Sequence, residues 1–153
     1  MNYRRLTKEE LLPLEKEFVD FLVVNGITAD SWVSLKEEEN EKADQMIDLF
    51  SEVVFEGIFR KTNFLEIRTK QFVHAYQCLG DKMVLVGAET NDPAIDLSSD
   101  LPASGEINLF ITEKQYGAKR EHELFAMTEK GCSISDGELF KYLSLAYMKN
   151  KDE

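Results

Sequence analysis

Four carboxylates at intervals of four residues form the first candidate site in the sequence. One face of a helix would carry all of them, Asp44, Asp48, Glu52 and Glu56, because residues four apart are neighbours on a helix surface. Carboxylates bind metals in some helical bundles, but those sites also use a Glu-x-x-His pair, and this segment has no histidine. A solvated helix face is therefore the favoured interpretation, and no metal site is predicted.

The chain has two histidines, and His74 is the one placed for acid–base chemistry. In a strand its side chain would share a face with those of Phe72 and Tyr76, because successive side chains alternate. An imidazole can act as a general base, but no partner lies near His74 in the sequence, so a structural role is favoured. The second histidine, His122, lies between two glutamates that would point away from it on a helix.

The two cysteines, Cys78 and Cys132, show no sign of activation. They form no C-x-x-C and have no zinc-ligand spacing with histidine, and nothing beside them would reliably lower a thiol pKa. Both are interpreted as small apolar side chains of the core. So few cysteines favour a reducing compartment. No catalytic residue and no cofactor is predicted.

Charge is unevenly distributed along the chain, whose net charge is −11. Residues 60–82 carry +3, whereas residues 1–59 carry −8 and residues 83–153 carry −6. An acidic chain repels phosphate backbones, so binding to duplex nucleic acid is not expected. The short basic segment is the one region of the sequence where an acidic protein or a small anion would be favoured.

The candidate partner-binding residues are the four cations that flank Phe64 and Phe72: Arg60, Lys61, Arg68 and Lys70. Cations interleaved with aromatic rings can bind single-stranded nucleic acid, because bases stack on the rings while phosphates contact the cations. The same cations can instead pair with acidic helices on either side, and the acidic net charge favours that interpretation. The sequence leaves open whether this basic segment is exposed.

Helices are predicted to position the carboxylate row and the residues before it. A capping box at Thr7 starts a first helix, which Pro13 would kink or delay. A short second helix carries Trp32, whose ring is predicted to pack across the first and third helices. The third helix is predicted from about residue 41 to about residue 59, because its apolar residues form a wide stripe.

After residue 63 the apolar period changes from that of helices to that of strands. Three segments have strand character: residues 72–79, 83–87 and 107–111. The turn Gly80-Asp81 joins the first two into a hairpin at residues 72–87. Two helices are predicted after the strands, over residues 119–130 and 136–148.

N-terminal helices, a small central antiparallel sheet and C-terminal helices predict an α+β fold. One globular domain is expected over residues 1–148, followed by a frayed polar tail at residues 149–153. The N-terminus lacks the apolar segment of a signal peptide, and the longest apolar run is too short to span a bilayer. A cytoplasmic protein with no membrane contact is therefore expected.

Three segments spread over the chain form a familiar set: YRRLT at residues 3–7, ITADSW at residues 27–32 and GELF at residues 137–140. Together they resemble an uncharacterised family of small acidic bacterial proteins, classed as a domain of unknown function. The resemblance covers most of the chain and implies a bacterial, cytoplasmic protein. Its motifs are caps, core aromatics and one tryptophan, so it implies no activity and no functional residue.

The predicted function is non-enzymatic: a small cytoplasmic protein that binds another protein or itself. One alternative is an enzyme whose site is assembled from distant residues, His74 and a carboxylate of the third helix. A second alternative is a nucleic-acid-associated protein that uses residues 60–82. A pocket beside His74 would favour the enzyme, an exposed apolar patch the binding protein, and a continuous basic groove the nucleic-acid protein.

Overall fold

The computed structural model describes residues 2–102 and 106–151 of the chain. The chain folds into two compact units, Met1–Ile58 and Phe59–Glu153, called unit 1 and unit 2 below. Both ends are helical and the middle forms an antiparallel sheet, so the predicted α+β fold is confirmed. The expectation of one domain over residues 1–148 stays a prediction.

Unit 1 consists of helices: α1 Lys8–Leu11, a 3-10 turn Leu12–Leu14, α2 Glu15–Val24, α3 Ala29–Glu38 and the first part of α4, which spans Asn40–Lys61. The predicted capping box is confirmed, because the Thr7 hydroxyl accepts from the Glu10 N–H and the Glu10 side chain accepts from the Thr7 N–H. Pro13 lies in the 3-10 turn. It produces the predicted break in the first helix, since proline has no N–H to continue an α-helix.

Aromatic side chains build the core of unit 1 around Phe50. Phe50 is buried, and the rings of Phe18 and Phe21 lie 5.0 and 5.4 Å from it. These two residues are three apart on α2 and therefore share one helix face. That face, which also carries the buried Leu22, joins α2 to α4.

A five-stranded antiparallel sheet forms unit 2 within the part of the chain that the structure describes, in the order β4-β3-β2-β1-β5. Its strands are β1 Phe64–Arg68, β2 Phe72–Cys78, β3 Lys82–Glu89, β4 Asn108–Gln115 and β5 Ser133–Ile134. The predicted hairpin is confirmed, because β2 pairs with β3 from Phe72 opposite Glu89 to Cys78 opposite Met83. The helices of this unit are α5 Arg120–Glu129 and α6 Glu138–Lys151.

One face of the sheet carries the core of unit 2. Val73 and Ala75 of β2 and Val86 and Ala88 of β3 are fully buried there with Leu143 of α6. The alternation of strand side chains collects these residues on one face, and α6 packs against both strands. The opposite face is left with the second set of side chains, which includes His74.

Two strands of the sheet, β1 and β5, lie outside the three predicted segments. β5 has only two residues, which pair with Leu65 and Glu66 of β1. A strand this short is too brief to show the alternating apolar pattern by which strands are predicted. The strand predicted at residues 107–111 is confirmed as β4 but extends to Gln115, because its ladder with β3 continues to Lys82.

The last helix starts later and ends later than predicted. It begins at Glu138 rather than Asp136, since Gly137 adopts a φ of +92° that is incompatible with a helix. It continues to Lys151, so the expected frayed tail is helical as far as that residue. Residues 152–153 lie outside the described part of the chain.

No single helix among residues 2–102 and 106–151 is long and apolar enough to cross a membrane. One pair, residues 8–24 with α3, meets the length and composition criteria only together, across a bend of 91°. The expected absence of membrane contact stays a prediction.

Candidate functional sites

The carboxylate row on α4 holds the N-terminal segment of the chain. The Arg5 guanidinium donates to the two oxygens of Asp48 at 2.6 and 3.2 Å, and it lies 3.8 Å from Asp44. One turn further along α4, Glu52 accepts from the Tyr3 N–H at 3.0 Å, and the last carboxylate of the row accepts from the Tyr3 hydroxyl. The interpretation as a merely solvated face is therefore wrong, because each carboxylate has a partner that the sequence analysis did not identify.

Hydrogen bonds to this segment lower carboxyl pKa values in unit 1. The Arg5 hydrogen bond lowers the pKa of Asp48. Arg4 donates two hydrogen bonds to Glu10, at 2.7 and 2.9 Å, and these lower the Glu10 pKa to about 2, with help from the Thr7 N–H. Both carboxyls are thus held as anions by a segment that precedes the first helix.

An open apolar groove of about 570 Å³ lies in unit 1. Its apolar lining comes from α1, the 3-10 turn, α2 and α3: Leu11, Leu12, Phe18, Val19, Leu22 and Trp32. The Trp32 ring is half-buried and meets Phe18 edge-on at 5.1 Å, so the predicted contact with the first helical segment is confirmed. Leu12 and Val19 are 72% and 45% exposed, which leaves apolar surface open to a ligand.

The break at Pro13 and the bend before α3 create this groove. The 3-10 turn points Leu12 outward, and the chain bends by 91° between residues 8–24 and α3. Because of this bend, α3 does not continue the direction of α2, and its Trp32 ring packs against the side of α2. Three charged residues complete the lining: Lys8, Glu15 and Lys36.

His74 pairs with a carboxylate on the neighbouring strand. Its Nε2 lies 3.2 Å from Oε1 of Glu89, and its ring lies 4.5 Å from that of Phe72 and 5.7 Å from that of Phe110. A His–Glu pair of this kind can orient an imidazole for proton transfer. The alternative enzyme site considered from the sequence pairs His74 with a helix carboxylate, whereas within unit 2 the carboxylate that contacts His74 is Glu89 of β3.

The register of the hairpin predicts the contact between His74 and Glu89. His74 lies opposite Gly87, and the residue two positions further along β3, Glu89, must point to the same face. Glu89 also lines a polar pocket of about 380 Å³ with Thr90, Asn91, Glu106, Ile107 and Asn108. The histidine thus adjoins a pocket through its partner.

The four candidate partner-binding cations are not gathered into one patch. Arg60 and Lys61 end α4, whereas Arg68 and Lys70 lie at the far end of β1, and a five-residue strand spans about 16 Å. Arg68 donates to the Leu97 carbonyl at 3.2 and 3.3 Å, so part of the basic segment serves the fold. Whether the remaining cations bind a partner stays a prediction.

Neither cysteine is an activated nucleophile. Burial raises the pKa of Cys78 to about 11 and also raises the pKa of Cys132. Both side chains are therefore neutral thiols at neutral pH. The pKa directions agree with the interpretation of both as apolar packing residues.

Arg120 is a half-buried residue with several hydrogen-bond partners that sequence reasoning missed. Its guanidinium donates to four carbonyl oxygens, those of Phe59, Thr62, Cys78 and Leu79. These carbonyls come from the last turn of α4, the link between α4 and β1, the end of β2 and the turn of the hairpin. An arginine on a helix in an acidic chain gives no sign of such a role, because its partners lie some 40 to 60 residues away.

Comparison with known proteins identifies a family. Residues 1–148 match the model of a family described as a family of unknown function (DUF6495). Comparisons with curated proteins and with solved structures gave no match.

Proposed function

This chain belongs to a family of unknown function (DUF6495), and we propose that it is a non-enzymatic protein that binds an apolar segment of another protein in the groove of unit 1. The observation that carries this proposal is the half-buried Trp32 ring, which forms one wall of an open apolar groove. Tryptophan is enriched among the residues that dominate binding energies, because it offers a large rigid apolar surface. A groove of about 570 Å³ lies within the usual range for ligand sites.

The open shape of the groove favours a protein segment over a small molecule. A small apolar ligand gains most affinity where its surface is nearly enclosed, whereas Leu12 and Val19 remain exposed along the groove. A protein segment would cover these side chains with its own apolar face. Exposed apolar residues rimmed by charges are typical of such docking surfaces.

A pair of valines tests the proposal. Val19 lines the groove and is 45% exposed, whereas Val33 of α3 does not line it and is 50% exposed. Peptides selected from a random library against the wild-type protein should lose affinity for the Val19→Ser variant and keep it for Val33→Ser. Binding can be followed through Trp32, the only tryptophan of the chain. Selection of no peptide, or equal losses in both variants, would contradict the proposal.

The proposed compartment is the cytoplasm. Both cysteines are unpaired, which suits a reducing environment. Fractionation of the native host, followed by immunoblotting, tests this proposal, and recovery outside the cytoplasmic fraction would contradict it.

A catalytic role for His74 is the second candidate function. It is favoured by the hydrogen bond to Glu89, which also lines a polar pocket. The test is hydrolysis of an activated ester, which a histidine base can promote. His74→Gln should abolish any activity above background, and His122→Gln, at the only other histidine, should preserve it. Equal rates in both variants and in the wild type would remove this candidate.

A further inference from the structure

We infer that the segment bound in the unit 1 groove is an amphipathic helix that carries acidic residues beside its apolar face. This inference rests on the proposed function and names the partner class for the same groove. Three observations support it: the charges of the groove lining, the helical construction of unit 1, and the charges on the exposed apolar face of α6.

The charged residues of the groove favour an acidic ligand. Lys8 lies on the wall formed by α1, and Lys36 lies on the wall formed by α3, with its Nζ 5.9 Å from the centre of the Trp32 ring. Glu15 is the acidic residue among them, so the lining has a net charge of +1. The chain as a whole carries −11, which makes this local excess of positive charge a selective feature.

The range of electrostatic interactions determines whether an acidic ligand responds to the charges of the groove lining or to the net charge of the whole chain. Screening reduces electrostatic interactions beyond about 8 Å at physiological salt. A carboxylate held at the mouth of the groove would therefore respond mainly to the three charged residues of the lining, Lys8, Lys36 and Glu15, whose charges sum to +1. The acidic remainder of the chain would slow the approach of such a partner more than it would weaken the bound state.

The construction of the groove favours a helix as its occupant. The described residues of unit 1 contain no strand, so the walls of the groove offer side chains and no sheet edge to pair with an extended peptide. A helix satisfies its own backbone hydrogen bonds and presents apolar side chains at positions i, i+3, i+4 and i+7. An extended peptide would bring backbone groups that the apolar lining cannot pair.

A second copy of this chain is a poorer occupant. Its α6 exposes Tyr142, Leu145 and Met148 at helical spacing, which could in principle enter the groove of another molecule. That face is bordered by Lys141 and Lys149, which have the same sign as the two lysines of the lining. The inference therefore commits to a different, acidic protein.

The experiment compares two helical peptides of about fourteen residues with the same apolar residues at i, i+3, i+4 and i+7. One carries glutamates at the positions beside the apolar face, and the other carries lysines there. Titration of the full-length protein, followed by Trp32 fluorescence, should show at least about tenfold tighter binding of the acidic peptide. A scrambled acidic peptide serves as the control for non-specific attraction.

Charge-reversed variants complete the test. Lys8→Glu combined with Lys36→Glu should reverse the preference toward the basic peptide. Lys16→Glu, on α2 but outside the groove lining, should leave the preference unchanged. Circular dichroism of each variant verifies that it is folded.

The outcomes distinguish failure of the acidic-partner inference from failure of the proposed binding groove. Equal binding of both peptides, lost in Val19→Ser, would overturn the acidic partner and leave the proposed function standing. Tight binding of the scrambled peptide, or an unchanged preference in the double variant, would also overturn the acidic partner. Binding of neither peptide would count against the inference and the proposed function together.

Discussion

Gly87 illustrates how one missing side chain shapes the face of the sheet that carries His74. A Cβ at this position would lie 2.6 Å from Cε1 of Phe110 and 3.0 Å from Cδ2 of His74. The Phe110 ring therefore lies directly over the backbone of Gly87. This contact lets Phe110 reach His74 across the intervening strand.

Replacement of Gly87 by alanine should destabilise the protein by roughly 1–3 kcal/mol, because the added methyl group displaces a packed ring. The free energy of unfolding in urea measures the effect. Gly80→Ala is the matched control, since a Cβ at Gly80 would meet no atom within 4 Å and should change stability by less than about 0.5 kcal/mol. Similar losses in both variants would contradict the role assigned to the Phe110 contact.

Arg120 carries a stability contribution that its position in the sequence does not suggest. Arg120→Lys should cost about 3 kcal/mol, because a lysine cannot pair with four carbonyl oxygens at once and leaves some of them unsatisfied. Arg68→Lys should cost only about 1 kcal/mol, since Arg68 donates to one carbonyl, that of Leu97. Urea denaturation of both variants tests this order, and an equal or reversed order would contradict the role assigned to Arg120.

At the scale of elements, the N-terminal segment and α4 depend on each other. The Leu6 N–H donates to Ser51 at 2.9 Å, in line with the contacts of Tyr3 and Arg5 to the carboxylate row. The guanidinium of Arg4 also lies over the ring of Phe55, 5.0 Å from its centre. A segment without regular structure is thus held along a full side of a long helix.

Lowering the pH should weaken the attachment of the N-terminal segment, because it protonates Glu10. Its folded-state pKa is about 2, against an ordinary value of 4.5, so its contribution is complete above pH 4.5 and is lost as the pH falls toward 2. Trp32 fluorescence during urea unfolding at several pH values should show unit 1 losing stability in this window. Glu10→Gln should reduce that loss, while Glu9→Gln, also on α1, should leave it unchanged. The same pH dependence in all three proteins would contradict the assignment to Glu10.

For the whole molecule, the net charge leads to a prediction about nucleic-acid binding. A net charge of −11 opposes the approach of a duplex, and the four candidate partner-binding cations are split between the two ends of β1. We expect no micromolar binding of duplex DNA at physiological salt. Fluorescence anisotropy with a labelled duplex measures it, and a micromolar dissociation constant would restore the nucleic-acid alternative.

The two compact units share α4, which crosses the boundary at residues 58 and 59. The expectation of one domain predicts a single cooperative unfolding transition. Trp32 reports on unit 1, and the reactivity of the buried Cys78 thiol reports on unit 2. Coincident transitions would support one domain, whereas separate midpoints would show two.

Local signals in the sequence were sufficient for the helices and the hairpin, although not for strands β1 and β5. The cap at Thr7, the break at Pro13 and the hairpin around Gly80 each depend on neighbours within a few residues. Each of these signals arises from backbone hydrogen bonds and dihedral preferences of residues that are neighbours in the sequence. The α+β class follows from the order of these elements.

The tertiary structure decided what the chemically capable residues do. The partners of the carboxylate row lie up to 53 residues away, and those of Arg120 up to 61. Residues at such separations meet only after packing has fixed which faces touch, and apolar periodicity does not encode which polar group faces which. The sequence alone therefore determined the helices, the hairpin and the acidic charge of this protein, whereas folding turned its carboxylate row into an anchor and gave Trp32 an open groove.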